Sequence, residues 1–258
     1  MSEQKNIQGQ VIFIGAGPGD PELLTIKAHK FIQKADLIIY AGSLVPKAIF
    51  ADHKPSATLI DSAALNLTEI ISKIKEFVSR SALVCRIHAG DPGLFGTIRE
   101  ETTALTIAGI KFSIVPGITA ASAAAAKAGI SFTVPTVCQS LILTRLAGRT
   151  QMPALEKLAD LARHKTSLAI YLSAGKELEL EQELLKAGLP KTTPILCAYR
   201  LGFEDECLIW TTIQNLRYDL AQHNFKRQTL FLVLPGEEKA GQPSKLYADN
   251  FSHSFRQN

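Results

Sequence analysis

The sequence predicts an α/β protein made of two units. Short apolar runs rich in β-branched residues alternate with segments of helical period along the chain. The first such run, VIFI, leads directly into a glycine turn and a helix start. After residues 120–135 the strand–helix alternation begins again. The expected domains are therefore 9–125 and 134–236, and the polar composition of 237–258 predicts a loose tail.

Each element follows from its residues. VIFIGAG is a strand running into a glycine turn, and Pro21, at a first helical position, opens the helix ELLTIKAHKFIQKA. DLIIYA is the next strand, a helix lies near TEIISKIKEFVS, ALVCRIHAGD is a further strand, and KFSIVPG closes the first unit. The small-residue segment TAASAAAAKAGISF joins the units. In the second, SLILTR and SLAIYLSA read as strands and PALEKLADLARHK and KELELEQELLKAG as helices, the last ending on Gly188. PILCAYR, ECLIWTT and QTLFLVLPG add three strands, and the last two are expected to pair antiparallel.

Composition narrows the function classes. A chain of 258 residues, 46% hydrophobic, can bury a real core without staples. No stretch approaches the roughly 20 apolar residues of a membrane span, and MSEQKNIQGQ has neither secretory nor transit character, so the expected location is the cytoplasm. Cys85, Cys138, Cys197 and Cys207 are widely spaced and lack a C-x-x-C pair, which predicts free thiols. A net charge of +4 is too weak for a nucleic-acid stripe but suits an acidic small molecule. Six histidines without H-x-x-H or H-x-x-x-H spacing predict no metal site.

The glycine turns carry the chemistry. In GAGPGDPELLT the third slot of a dinucleotide fingerprint is Asp20. Its carboxylate would occupy the positive end of the following helix and repel phosphate, and Pro21 removes an N–H that could have cradled it. Asp20 then reads either as a helix cap or as a ligand-facing group. A second turn, HAGDPGLFG from His88 to Gly96, again puts Gly-Asp-Pro between a strand and a helix, and VPGITAAS ends the next strand with Gly117 and Thr119. Three such turns at strand C-terminal ends predict a crevice for a ligand without phosphate and with a cationic amino-acid end.

These three segments, in order and at matching spacing, resemble the motifs of the tetrapyrrole methylases that use S-adenosylmethionine, over about residues 9–235. YAGSLVP (40–46) and QSLILTRLAGRTQMP (139–153) resemble the branch that methylates C11 of precorrin-4 or cobalt-precorrin-4 in corrin ring synthesis. The resemblance implies two αβα domains with the cofactor in the cleft between them, a homodimer, a tetrapyrrole substrate, and S-adenosylhomocysteine as product. Carried over by motif, it places Pro18, Ala89, Gly90, Asp91, Leu94, Thr119 and Ala120 at the cofactor, with Leu172 and Leu201 from less distinctive stretches. Ala89, Gly93 and Phe95 depart from the commoner HSGDPSLYG, so no tyrosine hydroxyl of this loop serves proton chemistry.

The implied mechanism is methyl transfer by approximation, in which pre-positioning supplies about 7–11 kcal/mol. Asp20 is the candidate substrate-facing group. Arg145 and Arg149 are the candidate contacts for the substrate's carboxylates, with Arg86, Arg99 and Arg200 as further candidates by motif adjacency. His88 reads as a structural residue rather than a base. Within the family the rival readings are methylation of another position, on uroporphyrinogen III or another precorrin, or of ribosomal RNA or a modified histidine. Outside it stand an NAD-binding oxidoreductase, which would need an acidic residue where Tyr40-Ala41-Gly42 stands, and a non-catalytic RNA-binding protein, for which aromatics are too few.

Overall fold

A computed structural model describes residues 10–237 apart from 97, 224 and 226; the expected tail therefore lies almost wholly outside the described residues. The chain divides into two compact units. One runs to Ala123 and includes Arg200–Asp205; the other holds Ala124–Tyr199 and resumes at Glu206.

The first unit contains β1 (Gln10–Gly15), α1 (Ile26–Ile32), β2 (Leu37–Tyr40), β3 (Thr58–Asp61), α2 (Leu67–Val78), β4 (Leu83–His88), α3 (Ile98–Ile107) and β5 (Phe112–Val115). Its strands lie in the order β3-β2-β4-β1-β5, every pairing parallel. The inner strands are buried on both faces, which is why VIFI, LIIY and LVCRIH are continuous apolar runs rather than alternating ones. Alternate residues serve opposite faces. Val11, Phe13, Leu37, Ile39 and Val84 pack under α2 and α3 through Ile70, Ile71, Ile74 and Leu105. Ile12, Ile14, Ile38, Cys85 and Ile87 pack against Ala28 and Ile32 of α1 with Ile49 and Phe50. An αβα layering results.

Local chemistry sets the helix ends. The helix predicted to run from Pro21 is broken: Pro21–Leu23 is a 3-10 turn capped by Asp20, and α1 begins only after Thr25, whose hydroxyl accepts the Ala28 N–H. Asn66 and Glu69 form a reciprocal capping box on α2. Sequence reading missed β3, an edge strand whose TLID is mostly exposed.

The helix α4 (Ala120–Ala128) forms from the segment expected only to join the units. The second unit then carries β6 (Leu141–Arg145), α5 (Leu158–Ala162), β7 (Ser167–Tyr171), α6 (Glu177–Lys186), β8 (Pro194–Tyr199), β9 (Cys207–Thr212), α7 (Leu216–Ala221) and β10 (Thr229–Val233). The sheet order is β6-β7-β10-β8-β9, with only β6 and β7 parallel. The predicted pairing of the last two strands is corrected: β8 lies between β9 and β10 and pairs antiparallel with each. Leu158, Ala162, Leu180, Leu184, Leu216 and Leu220 of the helices pack on Leu168, Ile170, Ile195, Cys197, Phe231 and Val233 of the strands. Gly188 ends α6 with φ of +81°, as its position predicts.

The four cysteines are free thiols, and burial raises the pKa of those of Cys85 and Cys197. Among the described residues no helix is long and apolar enough to cross a membrane, and no cluster of His, Cys, Asp or Glu has the makings of a metal site.

Candidate active site

Three adjacent strands of the first sheet, β4, β1 and β5, end side by side, and each continues into one of the glycine turns. The turns are bonded to one another. Ala16 N–H donates to the His88 carbonyl at 2.8 Å, and Gly17 and Gly90 exchange both backbone hydrogen bonds, at 3.2 and 2.7 Å. The Asp91 carboxylate accepts the Gly93 N–H at 2.8 Å with one oxygen and the Gly117 N–H at 3.0 Å with the other. A single side chain thus closes its own turn and ties it to the next.

The junction leaves no room for side chains beneath it. A methyl group on Gly15 would lie 2.6 Å from Gly117 Cα and 2.7 Å from the Gly90 carbonyl, and one on Gly117 would lie 2.7 Å from Gly15 Cα. On the other side, a methyl on Gly90 would meet nothing within 4 Å. The turns therefore form a tightly bonded floor that is open above Gly90, with Pro18, Ala89, Asp91 and Leu94 half-buried around it. Thr119, whose carbonyl accepts the Ala123 N–H at 3.2 Å, and Ala120, which opens α4, lead on from the third turn.

Leu201 is buried, and its carbonyl is 2.8 Å from where a Gly19 methyl would stand, so this weaker carry-over falls at the first glycine turn. Leu172 lies on the second unit, 70% exposed, with φ of +52° in a non-glycine residue.

Asp20 is engaged as a cap: its Oδ1 accepts the Glu22 N–H at 2.9 Å. Oδ2 takes no part in that bond.

The arginines divide by partner. Arg86 is corrected from a candidate substrate contact to a buried structural cation, with Nε 3.0 Å and Nη2 3.1 Å from the two oxygens of Glu101 and Nη1 3.1 Å from Ser62 Oγ. Arg145 donates to the backbone carbonyls of Leu146, Thr150 and Gln151 at 3.1–3.2 Å, so its guanidinium shapes the 146–151 loop. Lys176 Nζ binds the Ala147 carbonyl of the same loop. Arg149, within that loop, and Arg99 are exposed. Arg200 pairs with Asp205 at 2.6 Å.

His88, at the end of β4, is buried against Phe13, with ring centroids 5.9 Å apart. Burial, reinforced by the Arg86 charge and opposed by Glu101, lowers its pKa to about 4. Its Nε2 lies 3.9 Å from a Glu101 oxygen and has no hydrogen-bond partner among the described residues. The ring is neutral at neutral pH.

Sequence reasoning missed Glu101, Ser62, Gly202 and Phe203. Gly202 alone carried a signal, a glycine directly after the carried-over Leu201. On the second unit a groove of about 780 Å³ is lined by residues that include Lys176, Glu177, Arg217 and His223; none of the predicted site residues lines it.

Comparison with known proteins identifies the family and the fold. The family model for Tetrapyrrole (Corrin/Porphyrin) Methylases matches residues 10–217. The chain is 40% identical over 250 residues, 96% of each protein, to a cobalt-precorrin-4 C(11)-methyltransferase of Methanocaldococcus jannaschii. It is 40% identical over 249 residues, 95% of this chain and 98% of the relative, to a precorrin-4 C(11)-methyltransferase of Pseudomonas aeruginosa. The crystal structure of a cobalt precorrin-4 methyltransferase superposes with a TM-score of 0.87 at 36% identity, covering 90% of this chain and 98% of that one. A uroporphyrin-III C-methyl transferase from Thermus thermophilus, solved in complex with S-adenosylhomocysteine, shares the fold at a TM-score of 0.69 and 23% identity, over 87% and 97% of the two chains. The chain belongs to the tetrapyrrole methylase family.

Proposed function

We propose that the protein transfers a methyl group from S-adenosylmethionine to C11 of precorrin-4 or cobalt-precorrin-4. The similarity to precorrin-4 C(11)-methyltransferases over nearly the whole chain carries the choice of substrate and position, and the junction of Gly15, Gly90 and Gly117, stitched by Asp91 and open above Gly90, supports the donor site. The group fits that floor: a flat, phosphate-free ligand is accommodated where side chains are absent, and the capping carboxylate of Asp20 disfavours a pyrophosphate. When bound, S-adenosylmethionine supplies an electrophilic methyl on a sulfonium sulfur.

The protein's part is positioning and electrostatics. Pro18, Ala89, Gly90, Asp91, Leu94, Thr119, Ala120, Leu172 and Leu201 hold the donor, Asp20 faces the substrate, and Arg149 meets a substrate carboxylate. Arg145 serves the substrate through the loop it shapes. No residue is required as a strong base, since an electron-rich macrocycle attacks through carbon and can lose its proton late, to water. His88, buried against Phe13, braces the first turn through its backbone carbonyl, which accepts the Ala16 N–H.

We further propose a homodimer, testable by light scattering, and a cytoplasmic location, which suits four unpaired thiols. The activity is tested by incubating the purified protein with S-adenosylmethionine and either metal-free or cobalt-bearing precorrin-4. One added methyl, located at C11 by isotope-edited NMR, supports the reading; methylation of uroporphyrinogen III instead overturns it.

A further inference from the structure

Arg200–Asp205 cluster with the first unit although β8 and β9, on either side of them in the chain, belong to the second. The segment is strained at its start, where Arg200 adopts φ of +45°. It also lies hard against the first glycine turn. A methyl on Gly202, which has φ of +77°, would fall 2.8 Å from Gly19 Cα, and one on Gly19 would fall 3.1 Å from Phe203 Cε2. Only two glycines facing each other permit this approach.

Three interactions brace the segment from within. Arg200 Nε donates to Asp205 Oδ1 at 2.6 Å, its guanidinium lies over the Phe203 ring at 4.4 Å, and Phe203 N–H donates to the Arg200 carbonyl at 3.0 Å. The Phe203 ring thus carries the guanidinium and brings its Cε2 edge close to Gly19. Asp205 is 57% exposed and Arg200 30%, so the pair adds little to global stability. A strained loop braced by a partly exposed pair can change shape when that pair is altered, and its fit against the first glycine turn changes with it.

We propose that the Arg200–Asp205 pair, stacked on Phe203, is a clasp that sets the affinity for the methyl donor by holding Leu201 and Gly202 against Gly19 and Asp20. The proposal rests on the reading that the donor lies on these turns with Leu201 in contact. Arg200, Phe203 and Asp205 are positioning residues. Donor affinity scales with the fraction of molecules in which the clasp is closed.

The test titrates S-adenosylhomocysteine into the full-length protein by calorimetry and follows its dissociation by stopped flow. The variants are Asp205→Ala, Arg200→Met, which keeps an apolar stem over Phe203, and Asp205→Glu. Closed fractions of a third to a tenth in the first two variants would weaken binding about 3- to 10-fold, with faster dissociation. KM for the donor should rise by the same factor while kcat at saturating donor stays within about two-fold, and Asp205→Glu should restore most of the affinity. If the wild type binds and both Asp205→Ala and Arg200→Met bind within two-fold of it, the clasp is refuted and the donor site stands. An affinity loss that tracks a fall in Tm in every variant also refutes it. A wild type that fails to bind S-adenosylhomocysteine removes the donor site and the clasp together.

Discussion

Asp91 and Gly117 are joined by a hydrogen bond of 3.0 Å between a side-chain carboxylate of the second glycine turn and a backbone N–H of the third. With its other oxygen on Gly93, Asp91 spends both acceptors on holding loop geometry. Asp91→Ala leaves two N–H groups without that acceptor, and we expect a stability loss of about 2–4 kcal/mol with at least a tenfold weaker S-adenosylhomocysteine complex. Urea melts and calorimetry measure the two effects; normal affinity in a folded variant would show that the cross-turn bond does not shape the floor.

Gly117→Ala tests the same junction sterically. The new methyl would fall under 3.0 Å from backbone atoms of both Gly15 and Gly90, so the turns must separate. We expect a cost of about 1–3 kcal/mol or more and loss of donor binding. Gly148→Ala, where a methyl meets nothing within 4 Å, should leave stability unchanged. Equal melting temperatures for the two variants would contradict the close approach.

Asp20 has two separable duties. Asp20→Ala removes the cap, at about 0.5–2 kcal/mol, and the charge; Asp20→Ser keeps a capping oxygen and removes only the charge. If the carboxylate faces the substrate, both variants lose turnover while S-adenosylhomocysteine affinity stays close to wild type. Full activity in Asp20→Ser would leave Asp20 a cap alone.

The arginines should respond differently to removal of charge. Glu101→Ala leaves Arg86 buried without its counter-ion, and we expect about 3–5 kcal/mol of destabilisation. Arg149→Ala, at an exposed position, should leave Tm unchanged and raise KM for the tetrapyrrole about tenfold, equivalent to about 1.4 kcal/mol of lost carboxylate binding. An unchanged KM would return Arg149 to the solvated surface.

His88 predicts an acid dependence with a definite sign. Its folded pKa lies near 4, below the ordinary 6.5. Above pH 6.5 both folded and unfolded chains carry the neutral ring; between about 6.5 and 4 the unfolded chain takes up a proton that the folded one refuses, so stability falls as pH falls. The shift bounds the loss at about 3 kcal/mol. His88→Gln should flatten this part of the curve in urea titrations across that window. Parallel curves for variant and wild type would assign the loss to other groups.

The family and the strands were legible because both are written locally. A strand buried on both faces must be a continuous apolar run, and a turn that admits backbone contact must be glycine, so VIFIGAG, LVCRIHAGD and KFSIVPG declared themselves. The segment AASAAAA did not, because a run of alanines shows no helical period; nor did TLID, whose edge position leaves it little to bury. Asp20 was legible as an N-cap, one of its two sequence readings, since capping depends on residues two places away. Partnership across the chain was a different matter. Arg86, Arg145 and Arg200 look alike in sequence, yet one neutralises a carboxylate 15 residues away, one holds loop carbonyls and one pairs with a carboxylate five residues along its own segment. The order of β8, β9 and β10 was likewise set by packing. The sequence by itself determined the layered α/β character, the turns and the family. Only the tertiary structure decided which charges are spent internally, because a charge acquires its role from the burial and the partner that folding gives it.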